Sequence, residues 1–246
     1  MLDEARASVY TIWAVAFILY LSDAARLLRW RELLLVETGR GRLRPSLSDN
    51  PFTIAGRVLA FPPLVLPHRG VFTASWGGPW SADRDVASAL ASLAQLRGSL
   101  TAVRIAAAVG FALLFILAPA LTFLWGPGAA VLLTAALLYP TILGTAVVLW
   151  WRRRDLHLTA MQTVGLGIEL LVCPAFLPNL VRKITTRHRV EADAAQIVAV
   201  SLSPEERDEF FTRLQVRAGE LINEASADDA VQQELRSYLV MLREAR

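Results

Sequence analysis

The chain has 246 residues, 54% of them hydrophobic, and its mean hydropathy of +0.43 is high for a soluble globular domain. Its formal charge of +3 is carried almost entirely by arginines set beside apolar segments, Lys183 being the only lysine, which fits membrane topology better than nucleic-acid binding. A single cysteine, Cys173, excludes an intramolecular disulfide and any Cys-rich metal site.

The predicted fold class is a mainly α integral membrane protein, with three transmembrane helices plus a re-entrant or fourth segment. A small cytoplasmic β-rich insertion and a helical C-terminal tail complete it. Residues 1–30 form an N-terminal anchor. Its apolar run, Ala7 to Ser22, has a flank (Asp3, Glu4, Arg6) without the positive charge of a secretory signal peptide and no persuasive small-x-small cleavage site, so it reads as a retained helix. Arg26, Arg29, Arg31, Arg40, Arg42 and Arg44 follow, and the positive-inside rule places them in the cytoplasm with the N-terminus outside. Asp23 and Arg26, three apart, are expected to pair on one helix face.

Residues 31–80 change character. Short β-prone runs (Leu33–Val36, Phe52–Ile54, Val58–Phe61, Val71–Ala74) are separated by Gly and Pro, which predicts a small antiparallel sheet. Thr38-Gly39-Arg40-Gly41 supplies a hairpin turn, and the prolines from Phe61 to Pro67 favour an extended connection lying on the membrane surface. In residues 81–99, Ser81 is positioned to cap an amphipathic helix bearing Val86, Leu90, Leu93 and Leu96. That helix either ends at Gly98 or bends into the next one.

Residues 100–154 are the centre of the pattern, because Ile105 to Trp151 contains no charged residue. The stretch is more than twice the ~20 apolar residues that span a bilayer, and Gly126-Pro127-Gly128 divides it into two antiparallel helices. Pro119 and Pro140 are expected to kink them. Small residues at four-residue spacing, Ala106 and Gly110, then Ala136, Pro140 and Gly144, favour close packing within the chain or between copies. Arg152-Arg153-Arg154 closes the hairpin on the cytoplasmic side.

Residues 155–189 break this regularity. Leu156 to Val181 contains Glu169, Gly165, Gly167, Pro174 and Pro178, and a simple crossing would carry a basic cluster outside, so a re-entrant or interfacial element is favoured over a fourth span. The cluster itself, Arg182, Lys183, Arg187, His188 and Arg189, reads as a set of lipid-headgroup contacts. In residues 190–246 a polar tail carries two capped amphipathic helices. Ser203-Pro204-Glu205-Glu206 starts the first, and Ser226 with Asp229 the second. The apolar stripe Leu235, Tyr238 and Leu242 on the second is the expected partner-binding surface.

For chemistry, the best cluster is Gln162, Glu169 and Cys173, with Asn179 further on. A buried Glu169 would be a proton carrier or general acid, and Cys173 a nucleophile only with an activator that the sequence does not supply. His68, His157 and His188 form no close-spaced metal motif, so neither a metal nor a cofactor is expected. The functional expectation is a non-catalytic anchor or assembly protein of the plasma (inner) membrane, with a cytoplasmic C-terminus. Its expected partners are the lipid bilayer and a protein or second copy, and no nucleic acid. The alternative is a membrane-embedded enzyme or proton-linked subunit acting through Glu169.

Overall fold

One residue separates the two long apolar helices. The first runs continuously as α3 (Thr101–Ala112), a π-helical turn (Leu113–Leu117) and α4 (Ala118–Trp125), and the second is α5 (Pro127–Trp151). Gly126 has φ +87°, a conformation that glycine adopts without steric cost, and Pro127 takes the first position of α5, where its missing N–H costs nothing. The computed structural model describes residues 2–39, 42–47, 53–54, 57–78, 83–224 and 229–244. It is mostly helical (70%), with two long apolar helices and a small proportion of sheet.

The chain divides into two compact units, one of Met1–Ala25, Phe61–Gly70 and Ala94–Thr185, the other of Arg26–Ala60, Val71–Leu93 and Thr186–Arg246. In the first, the π turn sits immediately before Pro119. That proline has no N–H for the Phe115 carbonyl and its ring crowds the same carbonyl, so the helix widens there. At Pro140, by contrast, α5 stays one helix. α1 (Leu2–Ala24) is held by aromatic contacts. Tyr20 lies 5.2 Å from Phe115 and 5.9 Å from Phe111, ring centre to ring centre, and Phe17 lies 5.9 Å from Phe115. α2 (Asp83–Ser99) does not end at Gly98. Leu100 donates to the Leu96 carbonyl and accepts from Arg104, so the backbone of Leu100 links α2 to α3. Ser81, the expected cap, lies outside the described residues.

Leu156 to Val181 resolves into a short helix, a tight turn and the start of another helix. α6 (Ala160–Val172) opens on a capping box in which the Thr159 hydroxyl accepts from the Gln162 N–H and the Gln162 side chain accepts from the Thr159 N–H. It stops at Cys173, because Pro174 begins a 3-10 segment to Asn179, and α7 (Leu180–Arg187) follows. Leu177 of the 3-10 segment is buried against Gly110. A Cβ on that glycine would come within 2.6 Å of the Leu177 side chain, so here the small residue serves close packing inside the chain, whereas a Cβ on Gly144 would meet open space.

The second unit holds two short sheets instead of the single one expected. In the first, β5 (Arg57–Ala60) pairs antiparallel with β1 (Arg26–Leu28) and with β4 (Thr53–Ile54). In the second the strand order is β3-β2-β6-β7, where β2 is Glu32–Glu37, β3 is Leu43–Ser46, β6 is Val71–Ser75 and β7 is Arg189–Val190. The β2–β3 hairpin is closed by the Thr38 N–H on the Arg42 carbonyl, while Arg40 and Gly41 of the expected turn, like Phe52, lie outside the described residues. β2 is buried on both faces, which is why it reads as an unbroken apolar run. One face, Leu34 and Val36, forms a core with Leu28, Ala60 and Val71. The other carries Leu33 and Leu35 opposite Ala74 and Phe72.

Two strands were not visible in the β-rich stretch itself, since β1 lies before it and β7 pairs parallel with β6 from the far side of the apolar segments. The region is therefore completed by residues distant in sequence. Three helices belong to the same unit: α8 (Ala194–Ser201), α9 (Pro204–Glu224) and α10 (Asp229–Glu244). The Ser203 hydroxyl accepts the Glu206 N–H, as a capping serine should. Ser226 lies outside the described residues.

Candidate functional site

Arg182 and Lys183 are consecutive on α7, so their side chains leave the helix about 100° apart, and each meets its own set of partners inside the first unit. Lys183 is an ion-pair centre. Its Nζ lies 2.8 Å from Asp23 Oδ1 and 2.5 Å from Glu169 Oε1, with the Phe176 ring centre 4.3 Å away. α1 supplies the aspartate, α6 the glutamate and the 3-10 segment the ring. The Lys183 and Asp23 side chains are 9% and 12% exposed, that of Glu169 38%.

Arg182 is 1% exposed. Its Nη1 donates to Asn179 Oδ1 at 2.7 Å and to the Tyr20 hydroxyl at 3.2 Å, and its Nη2 donates to the carbonyls of Pro63 and Leu64. The Tyr20 hydroxyl in turn donates to the Leu64 carbonyl, and Asn179 Nδ2 donates to the Tyr20 carbonyl at 2.8 Å. Arg182 thus ties α1, the 61–70 connection and the 3-10 segment together through charge-assisted bonds, satisfying carbonyls that the proline-rich connection leaves without a strand partner.

This geometry corrects the headgroup assignment for two residues. Arg182 and Lys183 face inward to fixed polar partners, because two cations that close a buried network cannot also reach a membrane surface. Arg187 and Arg189 remain exposed and His188 is half-buried. Arg189 pairs with Glu32 at 3.8 Å and donates to the Ser75 hydroxyl at 3.2 Å.

The expected cluster of Gln162, Glu169 and Cys173 is brought together only in part, because Cys173 lies within electrostatic reach of Glu169 and Gln162 stands apart. Gln162 is spent on the N-cap of α6, Glu169 faces Lys183, and Cys173 caps the other end of α6, its N–H donating to the Glu169 carbonyl at 2.9 Å. A proton-carrier role was expected of a buried Glu169, and here its side chain is 38% exposed and ion-paired with Lys183. Among the described residues, no three His, Cys, Asp or Glu side chains are grouped to hold a metal.

In the second unit Leu235, Tyr238 and Leu242 are 1%, 0% and 0% exposed. Their assignment as a partner-binding surface is corrected in the same way, because this chain already covers them. The Tyr238 ring packs on Trp76 at 6.2 Å, and its hydroxyl donates to Asp193 Oδ1 at 2.9 Å. Asp193 also caps α8, accepting the Ala195 N–H at 2.8 Å, and lies near the Gly77 and Gly78 backbone donors. Sequence reasoning passed over Asp193, although an aspartate directly before Ala194-Ala195 is an N-cap signal. Tyr238 has its hydroxyl pushed well above the usual phenol range by burial and by the Asp193 charge.

Burial pushes the Asp193 carboxyl up to about 6 from its ordinary 3.8, against the opposing pull of its hydrogen bonds. A carboxyl whose folded pKa exceeds its unfolded one holds its proton better when folded, so its contribution to stability falls as pH rises from about 4 to about 6 and is level above that. The expected loss is at most about 3 kcal/mol over this window. Thermal unfolding of the solubilised chain across pH 4–7 checks it. The wild type should lose stability relative to Asp193→Asn as pH rises, and parallel profiles for the two would show that Asp193 stays ionised.

No protein-family model matches the chain, and neither a curated protein nor a solved structure matches it.

Proposed function

We propose that the chain is an integral membrane protein that acts as a non-catalytic anchor or assembly factor, holding its second unit in the cytoplasm for a partner protein or a second copy. The observation that carries this is the exposure of the long helices. Thr101–Trp125 and Pro127–Trp151 are 25 residues each, with only 33% and 22% of their most apolar windows buried. The core helix of a soluble protein would be mostly covered. Here Ile105, Ile116, Phe123, Leu132 and Leu143 are 54–83% exposed, an apolar surface that water does not tolerate and that acyl chains would cover. Each helix rises roughly 38 Å, enough for the ~30 Å hydrocarbon core.

α1 is the third span on this reading, with Tyr10, Ile12, Val15, Phe17 and Ile18 facing outward. α6, at 13 residues, rises only about 20 Å and ends in the Pro174 turn, so it enters the bilayer and returns instead of crossing. The anchor reading is favoured over proton-linked chemistry because Glu169 is ion-paired with Lys183, which gives the carboxylate a structural use. Reporter fusions at the two termini, with carbonate extraction of the membrane fraction, test the whole arrangement. The N-terminus is expected outside, the C-terminus in the cytoplasm and the chain in the pellet. An outside C-terminus would show that Leu156 to Val181 crosses, and release by carbonate would overturn membrane insertion.

A further inference from the structure

At the end of the β1–β5 ladder two arginines come together. Leu28–Val58 is the last pair of the ladder, Arg29 and Arg57 are the next residues on the two strands, and both line one basin, so two like charges sit close together where they weaken the strand pair. Both residues are exposed, and neither guanidinium has an ion-pair partner among the described residues. They open onto a concave basin of about 540 Å³ within the second unit. Arg31 and Arg189 are also in its wall, with a single carboxylate, that of Glu32, which leaves an excess of three positive charges.

These other two arginines are already fixed. Arg31 Nη1 lies 2.7 Å from Glu234 Oε2, and Arg189 is held between Glu32 and the Ser75 hydroxyl. The sheet register explains that grouping: Glu32 pairs with Ser75, and Thr73 pairs with Arg189, so Glu32, Ser75 and Arg189 project from one face of the sheet. The basin thus has a positioned basic wall on one side and two unneutralised guanidiniums on the other. Trp30, Trp76 and Gly78 complete its lining.

We infer that this basin binds a phosphate-bearing ligand, with Arg29 and Arg57 as the side chains that close on the phosphate oxygens. Two neighbouring guanidiniums call for a group with at least two negative charges and several acceptor oxygens, which a phosphate or diphosphate supplies and a lone carboxylate does not. The volume is that of a small-molecule site, roomier than an inorganic ion needs. The phosphate source is either a lipid headgroup or a soluble phosphate compound, and the two separate by experiment.

The full chain, purified in a neutral detergent, is titrated with inorganic pyrophosphate and separately with dihexanoylphosphatidic acid, using dihexanoylphosphatidylcholine as the control lipid. Binding is followed by tryptophan fluorescence and by the rise in melting temperature. Wild type is expected to respond to at least one of the two anionic probes, and Arg29→Gln/Arg57→Gln to weaken that response by about tenfold or more, since charge-assisted contacts to phosphate are among the stronger hydrogen bonds. Arg236→Gln, an exposed arginine outside the basin, should bind as wild type does. Without ligand the double variant should melt at or above the wild-type temperature, because an unfavourable charge pair is gone. A response to pyrophosphate assigns a soluble phosphate compound, and a response to the phosphatidic acid alone assigns a headgroup. No response to either probe, an undiminished response in the double variant, or a double variant that melts well below wild type without ligand overturns the inference.

Discussion

Lys183→Met is expected to destabilise the chain by about 3 kcal/mol or more, because removing one partner of a buried ion pair strands the other charges. Asp23 and Glu169 approach the same Nζ, at 2.8 and 2.5 Å, so without the ammonium two carboxylates face each other across a site where the aspartate is only 12% exposed. The cost comes from this mutual repulsion and the lost neutralisation, since methionine replaces most of the packing volume. The charge-balanced variant Lys183→Met/Asp23→Asn/Glu169→Gln should recover most of the loss. Glu169→Gln alone should cost no more than about 1 kcal/mol, as Lys183 keeps Asp23 and Glu169 is already part-exposed. Melting temperatures in detergent and abundance in the membrane read all three. If Lys183→Met is as stable as wild type, the network is not holding α1, α6 and α7 together. The single glutamate variant has a second use: its fold should survive, so any loss of cellular function on Glu169→Gln would revive the proton-linked alternative.

What was legible in the sequence follows from how local each interaction is. The break at Gly126-Pro127, the cap at Ser203 and the apolar β2 run are each fixed by neighbours within a few residues, and each appears where the pattern put it. The hairpin around Thr38 is of the same kind. β7 is not, because two residues make no periodic signal and Arg189–Val190 becomes a strand only by adding to β6. The basic cluster misled for a related reason. Composition alone cannot separate a cation bound for a headgroup from one that turns inward, and only the fold brings Tyr20, Pro63, Leu64 and Asn179 to Arg182. Glu169 stood out as an ionisable group in an apolar segment, but the lysine fourteen residues later that neutralises it approaches only because Pro174 ends α6. The stripe on α10 was seen as apolar and periodic, which is correct, and its covering was not visible because Trp76 and Asp193 come from distant parts of the chain.

Leu242→Asp is expected to cost about 4 kcal/mol and to free α10 from the second unit. Leu242 is fully buried beside Leu235 and Tyr238 on the face of α10, and the neighbouring α9 buries Phe211, Leu214 and Ala218. Deleting a large buried side chain costs roughly 2–5 kcal/mol before any charge is considered, and an unpaired carboxylate in its place adds a desolvation penalty or forces the helix into water. Releasing the helix is the cheaper outcome. It would also uncover Trp76, break the Tyr238–Asp193 hydrogen bond and remove the Arg31–Glu234 pair, so the loss should spread beyond α10 to β6 and α8. Val240→Asp, at a position 53% exposed on the same helix, should stay within about 0.5 kcal/mol of wild type. Limited proteolysis of the chain in isolated membranes separates the possibilities. Rapid cutting of the tail in Leu242→Asp, slow cutting in Val240→Asp and wild type, and retention of the apolar hairpin in the membrane are the expected results. If Leu242→Asp resists protease as wild type does but abolishes assembly with a partner or second copy, the stripe is an intermolecular surface after all, and its burial against the chain's own sheet and helices is wrong.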